Sequence, residues 1–382
     1  MNHAPASPTL DAQRQACQLD LLSSGAELLF GALDGLPWHA AELATMTARS
    51  PAVAQTFDGG LTATVHRLEA QGRHWTLKIA RSVARVHNID GRTSFLNEVQ
   101  RRIDIEALKR APGGEARWTA LVDTQWASLR HGVILSPWIE GKSITRADWD
   151  ERRLSQVLEA LCALWLEGLF DWDLAPGNLL DDGRQLRLFD FGYCYRFDPL
   201  RQFSSAGGGD LPMFHPAERF ETRSFCAALL ETEQAEGEAA ALAAFRLEKL
   251  LALQAYRQLR SDLRERGAAA HMTAWLDGIT ARWAAALAPG GDLDTLYLSE
   301  NWRSHLLDLD DDLRGRSCTP MTLRRADWLL AALQHHEPML RAAGALFHGD
   351  EALSCAALIE RYTAQRQQAL AFLTSATPPA SP

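Results

Sequence analysis

Phe170-Asp-Trp-Asp-Leu-Ala-Pro-Gly-Asn-Leu-Leu180, followed by Leu188-Phe-Asp-Phe-Gly192, is the stretch from which the rest of the chain is read. Asp173 and Asn178 stand in a D-x-x-x-x-N spacing. Asp190-Phe191-Gly192 follows after two short strands, Asn178–Leu180 and Leu186–Phe189, joined by the turn Asp181-Asp-Gly-Arg184. Either element alone is common by chance; their order around a hairpin is far more specific. Upstream, helical periodicity spans about Arg146 to Leu169, and His131-Gly-Val-Ile-Leu-Ser136 reads as a strand. Thr93-Ser94 is expected to cap a helix running through Phe95, Leu96, Val99 and Ile103. Leu61–Leu68 and His74–Ala80 alternate as strands, the first entered by Asp58-Gly59-Gly60 and the two separated by Gln71-Gly72-Arg73. From about Asp11 to Arg49 a helix is expected, with Leu21, Leu22, Leu28, Leu29 and Phe30 on one apolar face.

Past Pro212 the chain is helix-like almost throughout, with Trp275, Trp283, Trp302 and Trp328 at core positions. A helical extension, a small β-rich part with one helix and a large helical part make an α+β chain rather than an alternating α/β one. The termini, rich in Pro, Ala and Ser, are expected to be mobile.

The chain has 382 residues, enough for two packed lobes, and 47% apolar residues, enough for large cores. Its formal charge of -9 disfavours nucleic acid as an obligate partner. Six cysteines without a C-x-x-C pair read as buried thiols in a reducing, cytoplasmic setting. No secretory signal and no membrane span are expected. His215, His271, His335 and His336 give no metal-ligand spacing, the last two diverging on a helix. The acidic run Asp308, Asp310, Asp311 and Asp312 lacks the glycine and terminal glutamate of a calcium loop and reads as a solvated face.

Transfer of a phosphoryl group from ATP needs few side chains: a carboxylate to orient the attacking hydroxyl, an amide and a carboxylate to hold magnesium, and a lysine on the non-transferred phosphates. The ordered motifs supply these, and on them the chain resembles the protein-kinase superfamily. The resemblance covers roughly residues 50 to 220. It implies a two-lobed fold: an N-terminal helical extension (1–49), a small β-rich N-lobe (50–136), a C-lobe with the catalytic loop and D-F-G (137–260), and a helical remainder or accessory subdomain (261–382). It implies ATP and Mg2+ as cofactors, Asp173 as base, and Asn178 and Asp190 as metal ligands. Lys78, flanked by apolar residues in Trp75-Thr-Leu-Lys-Ile-Ala80, takes the place of the family's strand lysine and should point away from the core face. Glu98 is the natural helix partner of Lys78, with Glu106 as competitor. Val133-Ile-Leu-Ser-Pro-Trp-Ile-Glu-Gly141 resembles the hinge between lobes. If its strand ends at Ser136, the C=O of Pro137 and the N–H of Ile139 would meet the adenine.

Three departures set this chain apart. The expected G-x-G-x-x-G-x-V is replaced by Asp58-Gly59-Gly60-Leu-Thr-Ala-Thr-Val65, in which only Gly60 keeps register; the Gly59-Gly60 entry looks like that of aminoglycoside- and choline-kinase relatives and still offers amides for phosphates. Trp172 stands where the family has an arginine that answers a loop phosphate, which argues against activation by phosphorylation there. Asp171 takes the histidine position, without an assigned role. Ala175 replaces the lysine usual in serine/threonine kinases, so the acceptor is open between a protein, a sugar (such as a lipopolysaccharide core unit) and a small alcohol. Phe203-Ser-Ser-Ala-Gly-Gly-Gly-Asp210 reads as a flexible substrate-side loop, and Pro216-Ala-Glu218 is only loosely like the end of an activation segment. Transfer of AMP on the same scaffold, and a nucleotide-binding pseudokinase acting as an interaction module, are the alternative functions. The sequence does not set the oligomeric state.

Overall fold

Strand pairing begins where backbone geometry leaves no other choice. Gln71 (φ 53°) and Gly72 (φ 69°) are both left-handed, which a two-residue hairpin with the native twist requires, and they join β3 (Ala63–Ala70) to β4 (Arg73–Ala80) in full antiparallel register. Around this hairpin forms a six-stranded antiparallel sheet, ordered β1-β5-β6-β4-β3-β2, with β1 (Leu29–Gly31), β2 (Val53–Phe57), β5 (Trp126–Ser128) and β6 (Val133–Pro137). The computed structural model describes residues 9–86, 88–145, 148–205 and 214–376. It is an α+β chain with a small antiparallel β region and a large helical part.

Contacts divide the chain into two units. The first holds residues up to Ile144, Ala163–Asp173 and Gly177–Pro216; the second holds Thr145–Cys162, Leu174–Pro176 and the chain from Ala217. In the first unit the alternation of β4 separates two cores. Trp75 and Leu77 join Leu68, Trp126, Val133 and Leu135 under the segment carrying α2 (Ala40–Ala44), while the opposite face sets Ala63, Ala127 and Ile134 against Phe95 and Val99 of α3 (Ile89–Arg110). Leu77 is wholly buried, worth roughly 1.5–3 kcal/mol relative to exposure. After α4 (Gly114–Arg117) and β7 (Lys142–Ser143) come α5 (Glu151–Leu166), β8 (Leu169–Asp171), β9 (Leu179–Asp181), β10 (Leu186–Leu188) and β11 (Cys194–Arg196). β10, β9 and β7 form one small antiparallel sheet, and β11 pairs with β8 in another.

The second unit is helical: α5 as far as Cys162, α6 (Glu218–Phe220), a π-helical turn (Glu221–Phe225), α7 (Cys226–Glu236), α8 (Glu238–Glu265), α9 (Ala270–Leu287), α10 (Leu293–Gly315), α11 (Pro320–Ala342) and α12 (Cys355–Ala376). Trp302, Leu309, Leu329, Leu333, Leu358 and Tyr362 build a core between its last three helices. The π turn is held on several sides: Lys249 reaches Glu221 (2.9 Å), Arg325 reaches the Thr222 carbonyl (2.8 Å), and Arg223 reaches Asp308 (2.6 Å).

Several expectations change. α1 (Leu10–Ser24) stops at Gly25, left-handed at φ 65°, and Leu29 and Phe30 of the apolar run enter the edge strand β1 on β5 instead of helix. Gly31 is needed there, because a Cβ would lie 2.0 Å from the Gln125 carbonyl. α3 is capped by Asn88, whose side chain accepts the Gly91 N–H at 2.7 Å; Thr93 and Ser94 lie inside the helix and bond back to earlier carbonyls. α5 begins at Glu151, behind Asp150, which accepts the Arg153 N–H, and Arg146 lies outside the described residues. Phe203, Ser204 and Ser205, read as the start of a flexible loop, are buried, and Gly207–Gly209 lie outside the described residues. The acidic run is not a solvated face: Asp308 and Asp312 are buried, Asp308 between Arg223 and Arg325. All six cysteines are free, but Cys17 is exposed and Cys318 and Cys355 are partly so. Among the described residues no helix is long and apolar enough to cross a membrane.

Candidate active site

Lys78, Glu98, Asp173, Asn178 and Asp190 belong to the first unit, as do Gly59, Gly60, Pro137 and Ile139, whereas Ala175 falls in the second. β4 places Lys78 on the face opposite Trp75 and Leu77, as alternation demands, but α3 covers that face and leaves the lysine only 8% exposed. A buried ammonium needs paired charge. Nζ of Lys78 lies 2.5 Å from Oε2 of Glu98 and 2.8 Å from Oδ1 of Asp190. Glu98 is itself buried, and its other oxygen accepts from Arg102 one turn later at 3.2 Å. Burial alone would lower the Lys78 pKa, but the nearby charges of Asp190 and Glu98 outweigh it and hold it above the usual lysine value. Burial would raise the Asp190 carboxyl; Lys78 outweighs that and holds it below the usual carboxylate range. Glu106, the competitor for Lys78, is turned elsewhere, accepting the Thr124 N–H at 2.7 Å.

Two hairpins bring the remaining groups together. In the β9–β10 hairpin the Phe189 N–H donates to the Asn178 carbonyl (3.2 Å), which sets Asn178 beside the residue preceding Asp190. In the β8–β11 pair Asp171 faces Cys194 and the Trp172 N–H donates to the Tyr193 carbonyl (3.1 Å), which brings Asp173 toward the end of D-F-G. Tyr193 lies in the field of both Asp173 and Asp190; burial, then these carboxylates, push its phenol well up. The amide nitrogen of Asn178 donates to the Asp173 carbonyl (2.7 Å) and contacts its carboxylate (3.4 Å), so Oδ1 of Asn178 is turned away from Asp173. Asp190 is left-handed at φ 64°, a conformation that costs a non-glycine residue about 1–2 kcal/mol, least for Asp and Asn. Its side chain keeps 38% exposure, whereas Phe191 behind it is wholly buried.

At the hinge-like segment β6 runs one residue further than expected, through Pro137 opposite Trp75. The Trp138 N–H donates to the His74 carbonyl (3.1 Å), so the antiparallel pattern turns the Pro137 C=O to the other edge of β6, where β5 has already ended opposite Leu135. The Ile139 N–H finds no backbone partner among the described residues. Trp138 stacks on Phe57 (centroids 6.1 Å apart) and lies under the guanidinium of Arg67.

The loop between β2 and β3 holds Gly59 and Gly60. A Cβ at Gly60 would fall 2.5 Å from the Ala63 carbonyl, whereas Gly59 has open space. Arg81 donates to the Gly60 carbonyl (3.0 Å) and to the Asp58 side chain (2.6 Å), and Arg85 donates to the Asp58 side chain (3.1 Å). The site therefore carries two cations beside the loop that the motif does not announce. Sequence reading also missed Arg102 and left Asp171 idle. Asp171 is buried and accepts the Asp173 N–H at 2.9 Å, which orients the loop from within. Arg102, at i+4 from Glu98, could have been found by helical spacing. Trp172, where an arginine was missing, packs edge-on against Phe214 and donates to Ser205 (2.8 Å).

No family model matches the sequence, and no curated protein matches it. Among solved structures, the chain is similar to the crystal structure of the BubR1 kinase domain, with a TM-score of 0.31 and 16% identity over 48% of this chain and 60% of that chain. The chain thus spans less than two thirds of the length of that kinase domain.

Proposed function

We propose that this chain is an ATP- and magnesium-dependent phosphotransferase with a two-lobed, kinase-like fold that moves the γ-phosphoryl group to a hydroxyl acceptor. The observation that carries the reading is the buried Lys78–Glu98 pair reaching the partly exposed Asp190, with Asn178 and Asp173 brought toward it by two hairpins. Burying a lysine between two carboxylates costs desolvation that the ion pairs offset only in part. The partly exposed Asp190 carboxylate and the Oδ1 of Asn178, turned from Asp173, are hard oxygen donors, the set that suits magnesium. Magnesium, when bound, would offset the charge of the phosphate oxygens.

The chain's own residues account for the rest. Lys78, held protonated by its neighbours, supplies fixed positive charge for the non-transferred phosphates. Gly59 and Gly60 offer amides above them, and the Pro137 carbonyl and Ile139 amide edge the adenine. Asp173, its backbone fixed by Asp171, takes the proton of the acceptor hydroxyl as the oxygen attacks the γ-phosphorus and the bond to the bridging oxygen of departing ADP breaks. Positioning and electrostatics supply the rate.

The test is to incubate the full chain with Mg-ATP and acceptor fractions from a lysate and weigh the modified products. The expected result is a phosphate adduct, reduced about 10²- to 10⁴-fold by Asp173→Ala. An adenylate adduct would instead show AMP transfer. Tight nucleotide binding with no product, unaffected by Asp173→Ala, would sink the enzyme reading in favour of a binding module.

A further inference from the structure

The residue before Glu98 on α3 does something that the motif does not require. Asn97 is 1% exposed, and its amide nitrogen donates to the carbonyls of Phe191 (3.2 Å), Gly192 (3.0 Å) and Cys194 (2.8 Å). It therefore grips the backbone directly after Asp190. Its Oδ1 accepts from the side-chain amide of Gln18 on α1 at 3.0 Å. Oε1 of Gln18 in turn accepts from Thr93 and Arg14, each at 3.1 Å. Arg14 is anchored on Asp90 (2.8 Å) and lies 3.6 Å over the ring of Tyr195.

The polarity of this chain is fixed at both ends. A guanidinium can only donate, and a carbonyl can only accept, so neither amide can flip without losing its partners. Gln18 is also the one buried residue of α1. A helix whose buried side chain is an amide gains little from apolar burial and is held mainly by directed polar contacts.

We propose that Asn97 is a positioning residue for Asp190 and that α1, through Gln18, is the lever that sets it. Docked α1 orients Asn97, Asn97 holds the turn after Asp190, and Asp190 keeps its left-handed backbone and its place on Lys78. Undocking α1 frees the turn. The catalytic consequence rests on the phosphotransferase reading; the hold of α1 on the turn does not.

Two variants of the full chain test this. Gln18→Leu removes the amide at similar volume, and Asn97→Asp keeps the shape but sets an acceptor against three carbonyls. Amide hydrogen exchange should quicken at Phe191–Cys194 by at least about tenfold in both, while the β9–β10 hairpin changes less than about twofold, which separates a local release from general loss of stability. With a fluorescent ATP analogue, the gain in affinity on adding magnesium should fall about tenfold, and affinity measured in EDTA should hold. Unchanged exchange at Phe191–Cys194 in Gln18→Leu would overturn the lever. Faster exchange with an intact magnesium gain would reduce Asn97 to a structural residue and overturn its positioning role. A wild-type chain that binds no nucleotide would refute the phosphotransferase reading and with it the catalytic half, while the exchange data would still decide the hold of α1.

Discussion

Asp190 shows how much one position must satisfy. It pairs with Lys78, precedes a fully buried Phe191 and sits at φ 64°. Its identity was legible from D-F-G, but its backbone was not, because a left-handed aspartate is imposed by what grips the turn on either side. The two demands can be separated by substitution. Asp190→Ala and Asp190→Gly should both abolish magnesium-dependent nucleotide binding, since both delete the carboxylate. In urea unfolding, Asp190→Ala should be the less stable by about 1 kcal/mol, because glycine accepts the left-handed backbone without steric penalty. Equal stability would show that the turn relaxes once the carboxylate is gone. Glu98 was named with Glu106 as competitor, and Arg102 lies one turn beyond Glu98; Asn97 and Gln18 were not legible, since a polar residue on a helix reads as solvated until something covers it.

At the scale of elements, α8 carries a charge cluster unrelated to the motifs. Lys249, 1% exposed, lies within 2.9 Å of Glu221 and 2.6 Å of Glu300, with Glu248 at 3.2 Å. Burial, with the like charges of Glu221 and Glu300 overcoming the attraction of Lys249, pushes the Glu248 carboxyl up to about 8. The folded chain then keeps a proton that the unfolded chain releases near the ordinary glutamate value of 4.5. More protons bound when folded means that stability falls as pH rises from about 4.5 to about 8 and is level beyond. Glu248→Gln should remove this slope. The variant should gain about 4 kcal/mol on the wild type between pH 5 and pH 8.5 in denaturant titrations. Parallel curves would place the slope on another group. No periodicity foretells such a cluster: Glu248-Lys249 reads as a surface pair in a sequence, and only packing of α8, α10 and the π turn buries it.

The whole chain is acidic, at -9, and in its first unit Lys78, Arg81, Arg85 and Arg102 are all paired, with Glu98, Asp190 and Asp58. Nucleotide binding at the candidate site should couple to folding. A hundredfold excess of Mg-ATP over its Kd should stabilise the chain by about 2.7 kcal/mol, seen as a rise in Tm, and EDTA should remove most of the effect. A shift indifferent to EDTA would argue against Asn178 and Asp190 as metal ligands. The sequence by itself determined the α+β order, the β3–β4 and β9–β10 hairpins, and the spacings that single out Asp173, Asn178 and Asp190 as candidates. Each of these is local, written in alternation, turn residues or short spacing. Tertiary structure alone decided that Leu29–Gly31 is a strand, that Glu98 and not Glu106 meets Lys78, that Asp308 and Asp312 are buried, and that Gln18 reaches Asn97. These depend on groups far apart in the chain meeting at hydrogen-bond distance. The energy that selects such a contact comes from desolvation, which no residue carries until its partner covers it.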